Sequence, residues 1–451
     1  MPDARFAGRT VLVCGVAVAG ASAARALLDA GADVALTARE QGPAVPDLVA
    51  RGARWLGRLD RLPDGTDLVV VSPGLRPTEP LIVAAAARGV PVWGEAELAW
   101  QLRGERAAPW LAITGTNGKT TTVRMLEAVL RAAGLRAAAV GNVGTPLSDA
   151  VRAEPAYDVL AVELSSQQLH FAPSVRPAAG ALLNLAPDHL DWHGTLAAYE
   201  QAKAAILRGA VAIGNADDPR VAALLPGGAV TFTLDSPGDG QLGVRDGQLV
   251  STAFGDNGAA LLPTSDVRPA GAHNVANALA AAALARAHGV VPEAIAAGLR
   301  GFVPDPHRNE PVLTKDGIAW VDDSKATNPH AARASLTSYP RVVWIAGGQL
   351  KGVDVSELVA EVAGRLAGAV LLGQDRAVIA AALARHAPEI PVIVVDSTDD
   401  GAMTEVVHAA AGFARPGDTV LLAPAAASYD MFANYGARGD AFAAAVRALP
   451  S

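Results

Sequence analysis

The apolar run Trp110–Ile113 leads directly into the turn T-G-T-N-G, then into K-T-T-T and a helix-compatible stretch, Thr121–Ala132. This order builds a strand, a tight loop and a helix, the frame of a phosphate-binding loop. Gly115 and Gly118 let backbone N–H groups close around phosphate oxygens, and the helix N-terminus adds positive potential. Lys119 reaches the β- and γ-phosphates in such a loop, and the Thr120 hydroxyl ligates Mg²⁺. The usual motif begins with a Gly five residues before the G-K pair. Here that place is Ile113, so the loop is a shortened variant. Gly115, Thr116, Asn117, Gly118, Lys119, Thr120 and Thr121 are the expected nucleoside-triphosphate site.

The 451 residues are enough for two or three domains with ample core. A content of 51% hydrophobic and 18% charged residues excludes long disorder. The net charge is −8 and no Lys/Arg-rich run occurs, which argues against nucleic acid as a partner. Cys14 is the only cysteine, so no intrachain disulfide can form and a reducing cytosol fits. The start M-P-D-A-R-F is not a signal peptide, and no 18-residue apolar run lacks charge or turn residues. A cytoplasmic protein without membrane insertion is expected. The Ala-rich stretch Val275–Ala285 ends at Arg286 and reads as a buried helix. No fixed-period repeat is present.

Short apolar runs alternate with helical patterns along the chain. Thr10–Val13, Val34–Leu36, Leu68–Val71 and Val90–Val92 read as buried strands, with helices at Ala21–Ala30, Glu79–Arg88 and Glu95–Leu102. Such alternation predicts parallel sheets covered on both faces. The charged stretch 103–108 reads as a linker. A second series starts at Trp110, with strands at Tyr157–Val162 and Ala179–Leu183 and a helix over Thr195–Leu207. Pro226–Pro263 is rich in Gly and Asp and reads as hairpins decorating this domain. The P-D-P at 304–306 suggests a boundary. Strands then follow at Ile318–Val321, Val342–Ile345, Val370–Leu372, Val392–Val395 and Val420–Leu422. Three α/β domains are expected.

The first domain carries G-V-A-V-A-G at Gly15–Gly20, right after a strand. Ala17 replaces the Gly that lets a pyrophosphate approach, and Thr37 stands where an acid would hold a ribose. A tight strand-to-helix turn and a site for some phosphate-bearing group are both open readings. S-P-G at Ser72–Gly74 ends another strand and would line the same crevice. Downstream of the phosphate loop, Glu163 ends a strand, which suits Mg²⁺. Asp188 and His189 follow a further strand, and Lys203 lies in the next helix. Asp188 and Asp191 could cap the following turn. Taken together, these residues sit on the side where such sheets bind ligands.

In order along the chain come G-T-N-G-K-T-T, E-L-S-S, D-H-L-D-W-H-G, A-K at Ala202–Lys203, H-N-V-A-N-A at His273–Ala278, H-R at His307–Arg308 and D-S-K-A-T-N at Asp323–Asn328. P-A-A-A-S-Y-D at Pro424–Asp430 and N-Y-G-A-R-G at Asn434–Gly439 complete the set. The chain resembles the Mur ligases, ATP-dependent amino-acid ligases of peptidoglycan precursor synthesis, over essentially its whole length. E-L-S-S, D-S-K-A-T-N and A-S-Y-D resemble the branch that adds D-glutamate to UDP-N-acetylmuramoyl-L-alanine. The L-alanine-adding branch carries His where Asn117 stands, and the D-N-P-R motif of the diaminopimelate- or lysine-adding branch is absent.

The resemblance implies a Rossmann-like N-terminal domain (1–103) for the UDP-substrate, a central P-loop mononucleotide-binding domain with a mostly parallel sheet (104–304), and a Rossmann-like C-terminal domain (305–451) for the amino acid. It implies small-molecule substrates only and a monomer. Val18, Ala19, Arg39, Ser72 and Gly74 would bind the uracil and diphosphate. Asn142, Ser165 and His189 would complete the UDP-substrate site. Lys119 would hold the ATP phosphates, and Asn277, Arg308, Asp323 and Lys325 would contact ATP. Thr120 and Glu163 would hold one Mg²⁺, and His189 with Lys203, the latter as a carbamate, would serve a second. Lys119, Glu163, His189 and Lys203 are thus the implied catalytic set. Thr327, Lys351, Ser428 and Tyr435 would receive D-glutamate.

The chain departs from the family at several of these places. Gln349 replaces a frequent Asp, Gln167 a usual aromatic, Ala426 a common Cys, Ala19 a frequent Thr and Thr37 an Asp. Two other classes remain open at this stage. A nicotinamide dehydrogenase would use the first domain but leaves the phosphate loop unexplained. A nucleotide-binding protein without ligase activity would keep Lys119 and need neither Lys203 nor Lys351.

Overall fold

The computed structural model describes residues 3–104, 107–397 and 401–449. Residues 105–106, inside the expected linker, lie outside the described residues. The fold is α/β with three sheets of five, nine and six strands. The chain divides into two compact units, Met1–Asp266 with Ala276–Phe302, and Val267–Val275 with Val303–Ser451. The first unit holds the five- and nine-stranded sheets.

The five-stranded sheet is all parallel, in the order Arg54–Trp55, Asp33–Thr37, Thr10–Cys14, Leu68–Val71, Val92–Gly94. Its inner strands are continuous apolar runs because helices cover both faces. The last strand starts at Val92, two residues later than expected. Pro91 has no N–H for the ladder, and the Val90 N–H bonds back to Ala85 of the preceding helix. The first helix spans Val18–Asp29, three residues ahead of expectation, because Ala17 is already its extended N-cap. Gly15 (φ 86°) makes the turn, and a Cβ on Gly20 would collide with the Gly15 carbonyl. Both glycines therefore serve close strand-to-helix packing.

In the nine-stranded sheet Trp110–Thr114 is the third strand from one edge, flanked by Val159–Glu163 and Ala179–Leu182. Ala137–Gly141 closes one edge, beside Val159–Glu163. On the other side come Val211–Asn215, Val230–Phe232 and Gln241–Arg245, all parallel. Only Gln248–Ser251 is reversed, pairing antiparallel with Gln241–Arg245 on one side and Ala259–Pro263 on the other. The reading of 226–263 as hairpins holds for Gln241–Pro263, which forms two of them, whereas Val230–Phe232 and Gln241–Arg245 also extend the main sheet in parallel. Their short length hid the parallel pairing. The helix Ala272–Ala287 carries Ala or Leu from Ala278 to Ala285, all wholly buried, so it is a close-packed core helix.

The five-stranded part is tied to the central sheet by polar contacts. The Glu95 carboxylate accepts from the Ser148 backbone N–H, Glu97 accepts from the Ser174 N–H at 3.0 Å, and Arg25 pairs with Asp149 at 3.1 Å.

The second unit holds the six-stranded sheet, ordered Glu310–Lys315, Ile318–Asp322, Thr419–Leu422, Val342–Gly347, Leu366–Leu372, Val392–Val394. All pairs are parallel except the first, a hairpin turned by Asp316 and Gly317 at φ 52° and 74°. The Glu310–Lys315 strand was not foreseen. It is a partly exposed edge strand whose Pro311 breaks the usual pattern.

Candidate active site

The strand Trp110–Thr114 is buried along its length and delivers the chain to Gly115 at the carboxyl edge of the sheet. The helix Lys119–Ala132 starts at Lys119, with Gly118 as its left-handed N-cap at φ 80°. A Cβ on Gly118 would overlap the Asn277 side chain, so the loop has room only for glycine there. Asn184, just past the strand Ala179–Leu182, clamps the loop. Its Oδ1 accepts from the Asn117 N–H (2.8 Å), its Nδ2 donates to the Asn117 carbonyl (3.0 Å), and its own carbonyl accepts from the Thr116 N–H (2.9 Å). The loop is therefore preorganised for an anion. Lys119 Nζ folds back onto the carbonyls of Gly115 (3.0 Å) and Thr116 (2.9 Å).

A cavity of about 300 Å³ opens over this loop. It is lined by Thr116, Lys119, Asn142, Ser165, Asp188, His189 and Lys203, and also by Pro73 and Gly74 of the five-stranded part. Residues expected in the ATP, metal and UDP-substrate sets thus share one space. Glu163 ends its strand beneath it and is 1% exposed. Its Oε1 accepts from Asn142 Nδ2 at 2.8 Å, and its Oε2 is buried without a hydrogen-bond partner among the described residues. A buried carboxylate oxygen left unpaired is costly, and a hard cation satisfies it.

Lys203 is 2% exposed, on the helix Leu196–Ala204. Its Nζ donates to the Gly115 carbonyl at 2.7 Å. Burial, then the charge of Lys119, hold its pKa well below the ordinary lysine value, against the pull of Asp188 and Glu163. His189 is half exposed and sits at φ 50°, a conformation bulky residues rarely adopt. Asp188 Oδ1 accepts the His189 backbone N–H at 2.8 Å, whereas Asp191 pairs with Arg76 at 2.9 Å instead of capping.

Sequence reasoning gave no role to Tyr199, Asn184, Ser166 or His193. Tyr199 is 1% exposed, and its hydroxyl meets Thr116 Oγ1 at 2.8 Å, joining the Lys203 helix to the phosphate loop. The L-x-x-Y-x-x-x-K spacing puts Tyr199 and Lys203 on one helix face, a signal that was available.

In the five-stranded part, Ser72 Oγ donates to the Gly15 carbonyl at 3.0 Å, bringing the two expected loops together. Val18 begins the helix beside them and is 73% exposed, open to a ligand; Ala19 follows it and Arg39 is exposed. Thr37 is buried and donates to the Gly57 carbonyl, so it offers nothing to a ribose.

In the second unit, Lys325 Nζ lies 3.8 Å from the Tyr435 ring centroid, and Ser324 Oγ donates to the Tyr435 carbonyl at 2.7 Å. Asp323 accepts from Ser335 Oγ and the Asn309 N–H, yet burial raises its pKa to about 6. Arg308 is mostly covered and lies 4.0 Å from Asp305. Thr327 lies two residues past Lys325, Lys351 sits at φ 55° after Gly347 and Gly348, and Ser428 is buried in the loop that follows the strand Thr419–Leu422. These loops interlock through the Gln349 N–H, which donates to the Ala427 carbonyl at 2.9 Å.

No helix among the described residues is long and apolar enough to cross a membrane.

Comparison with known proteins matches the chain to three family models in sequence. These are a Mur ligase MurD-like N-terminal domain at residues 9–94, a Mur ligase middle domain at 113–285, and a Mur ligase glutamate ligase domain at 307–426. The chain is 54% identical to the UDP-N-acetylmuramoylalanine–D-glutamate ligase of Streptomyces coelicolor, covering 100% of both chains. It is 56% identical to the ligase of the same description from Frankia casuarinae, covering 98% of this chain and 95% of that one. Among solved structures it resembles the UDP-N-acetylmuramate-alanine ligase of Thermotoga maritima in fold, with a TM-score of 0.60 at 19% identity over 97% of this chain and 99% of that one.

Proposed function

The chain belongs to the Mur ligase family, and we propose that it joins D-glutamate to UDP-N-acetylmuramoyl-L-alanine with consumption of ATP. The full-length likeness to D-glutamate ligases carries this reading. It places the chain in peptidoglycan precursor synthesis, and so in cell-wall construction, cell shape and division. We place the enzyme in the cytoplasm as a monomer, with domains at 1–103, 104–304 and 305–451.

A carboxylate is a poor acyl donor. The UDP-linked carboxylate attacks the γ-phosphorus of ATP, ADP leaves, and an acyl phosphate forms. The amine of D-glutamate then adds to the acyl carbon, and the tetrahedral intermediate expels phosphate as the amide forms. The first step needs alignment and charge neutralisation more than covalent help. Lys119 holds the phosphates, and Asn277, Arg308, Asp323 and Lys325 hold the rest of ATP. Thr327, Lys351, Ser428 and Tyr435 receive D-glutamate, whose two carboxylates suit a cation and hydroxyl donors. Val18, Ala19, Arg39, Ser72 and Gly74 bind the UDP part, with Asn142, Ser165 and His189 toward the sugar and lactoyl side.

Two Mg²⁺ ions fit the donor set. Thr120 and Glu163 would hold one, as the unpaired buried Glu163 oxygen supports, and His189 and Lys203 the other. Bound there, the ions would neutralise phosphate charge. We propose that Lys203 works as a carbamate. Its amine, whose protonated form burial disfavours, adds to CO₂ and loses one proton, so that the side chain gains two hard oxygen ligands.

A substrate panel tests the reading. Phosphate release with UDP-N-acetylmuramoyl-L-alanine is expected with D-glutamate, and not with L-alanine, L-lysine or diaminopimelate. Preference for any of the other three would overturn it.

A further inference from the structure

Gln167 lines the same cavity as Lys119, Asn142 and His189, and no role has been given to it. It follows Ser166, which is 1% exposed at the start of the helix Ser166–His170. Ser165 closes a capping box with Gln168, which fixes this turn. Ser166 Oγ lies 3.2 Å from Gln167 Oε1 and 2.9 Å from His193 Nε2. The His193 ring is held between Trp192 and Tyr199, at centroid distances of 4.4 and 5.4 Å.

Counting protons along this row gives it a direction. The Ser166 hydroxyl carries one proton, and Gln167 Oε1, an amide oxygen, can only accept. Nε2 is the only ring nitrogen of His193 with a hydrogen-bond partner among the described residues. With the proton on Nε2, His193 donates to Ser166 Oγ. The single hydroxyl proton of Ser166 then donates to Gln167 Oε1. The reverse order would leave two oxygens facing each other at 3.2 Å with no proton between them. Gln167 Oε1 thereby takes a hydrogen bond from inside the fold, while its Nε2 donates to no partner among the described residues and the side chain lines the cavity.

We propose that Gln167 is a further substrate-binding residue, oriented by His193 through Ser166, whose Nε2 donates to an acceptor oxygen of the UDP-linked acid. The substrate's identity rests on the function proposed above. His193 is the positioning residue, and Gln167 makes the contact.

Direct binding of UDP-N-acetylmuramoyl-L-alanine, with a non-hydrolysable ATP analogue present, separates this proposal from the ligase reading. Gln167→Glu keeps the acceptor for Ser166 and turns the cavity-facing donor into an anionic acceptor. Its Kd should rise about tenfold or more, equivalent to about 1.4 kcal/mol. The Kd of the ATP analogue should stay within about twofold, because Gln167 faces the other ligand. His193→Phe keeps the ring packing and removes the donor. It should weaken binding about three- to tenfold and add nothing in a Gln167→Ala background, since it acts through the same amide. UDP-N-acetylmuramate, lacking the alanine, locates the acceptor. An equal loss puts it on the sugar or diphosphate, and no loss puts it on the alanyl group. A Gln167→Glu Kd within about twofold of wild type, with an unchanged melting temperature, would overturn the proposal, as would independent effects of His193→Phe and Gln167→Ala. If wild type bound this compound but did not ligate D-glutamate, only the function above would fall.

Discussion

Lys203 Nζ lies 2.7 Å from the carbonyl oxygen of Gly115, the residue that opens the phosphate loop. The amine is buried beside Lys119, which also bonds that carbonyl. Burial first, and the charge of Lys119 after it, lower the pKa of the amine, which favours the neutral form that carbamylation requires. Lys203→Ala should be nearly inactive and regain activity with acetate, whereas small amines should fail. ¹³C NMR of the wild type under ¹³CO₂ should show a carbamate signal absent from the variant. Rescue by amines alone would contradict the carbamate.

Lys119→Ala should lower ADP formation at least about a hundredfold, the usual scale for losing a preorganised charge at a phosphoryl group. The fold should persist, since Lys119 is only partly buried at the loop surface. Steady-state ADP release with circular dichroism checks both. Near-normal turnover in the folded variant would remove the ATP site from this loop.

Asn142 spends its side-chain amide on Glu163, at 2.8 Å. Asn142→Ala should therefore raise the Mg²⁺ concentration for half-maximal rate about 10- to 100-fold, as loss of such a supporting hydrogen bond does. Initial rates across a Mg²⁺ titration read this. An unchanged Mg²⁺ dependence, with only the UDP-substrate KM altered, would assign Asn142 to the substrate alone.

Glu95 predicts a pH effect on stability. Burial raises its pKa from 4.5 to about 7 although the Ser148 N–H bonds to it. The folded state therefore holds the proton more tightly than the unfolded chain. This contribution is complete below about pH 4.5 and is lost as pH rises through about 7. Glu95→Gln mimics the protonated form. Its stability relative to wild type should rise on going from pH 5 to pH 8, by on the order of 1–3 kcal/mol. Urea melts at the two pH values measure the difference, and a pH-independent difference would refute it.

The elements carrying the chemistry were legible because each is a local pattern at a strand end. Thr114–Lys119 and Val159–Glu163 announce themselves by an apolar run followed by Gly, Lys or a carboxylate. The residues that hold the site together are less visible. Asn184 clamps Asn117 across 67 positions, and Tyr199 reaches Thr116 across 83. Such pairings exist only once the parallel order of the sheet is known. The parallel strands within 226–263 stayed hidden for the same reason, since a three-residue strand such as Val230–Phe232 has too few positions to show a period. Gln167 looked like a lost aromatic; its contact with Ser166 Oγ, and through it with His193, is visible only in the folded chain.

Transfer of ¹⁸O from substrate to phosphate tests the central claim most directly. UDP-N-acetylmuramoyl-L-alanine labelled in its alanyl carboxylate is incubated with ATP and D-glutamate, and both products are weighed by mass spectrometry. The acyl-phosphate route predicts a UDP-product extended by one glutamyl residue that keeps one of its two ¹⁸O atoms, and one ¹⁸O atom in each released phosphate. Unlabelled phosphate, or phosphate release without the glutamyl adduct, would contradict it.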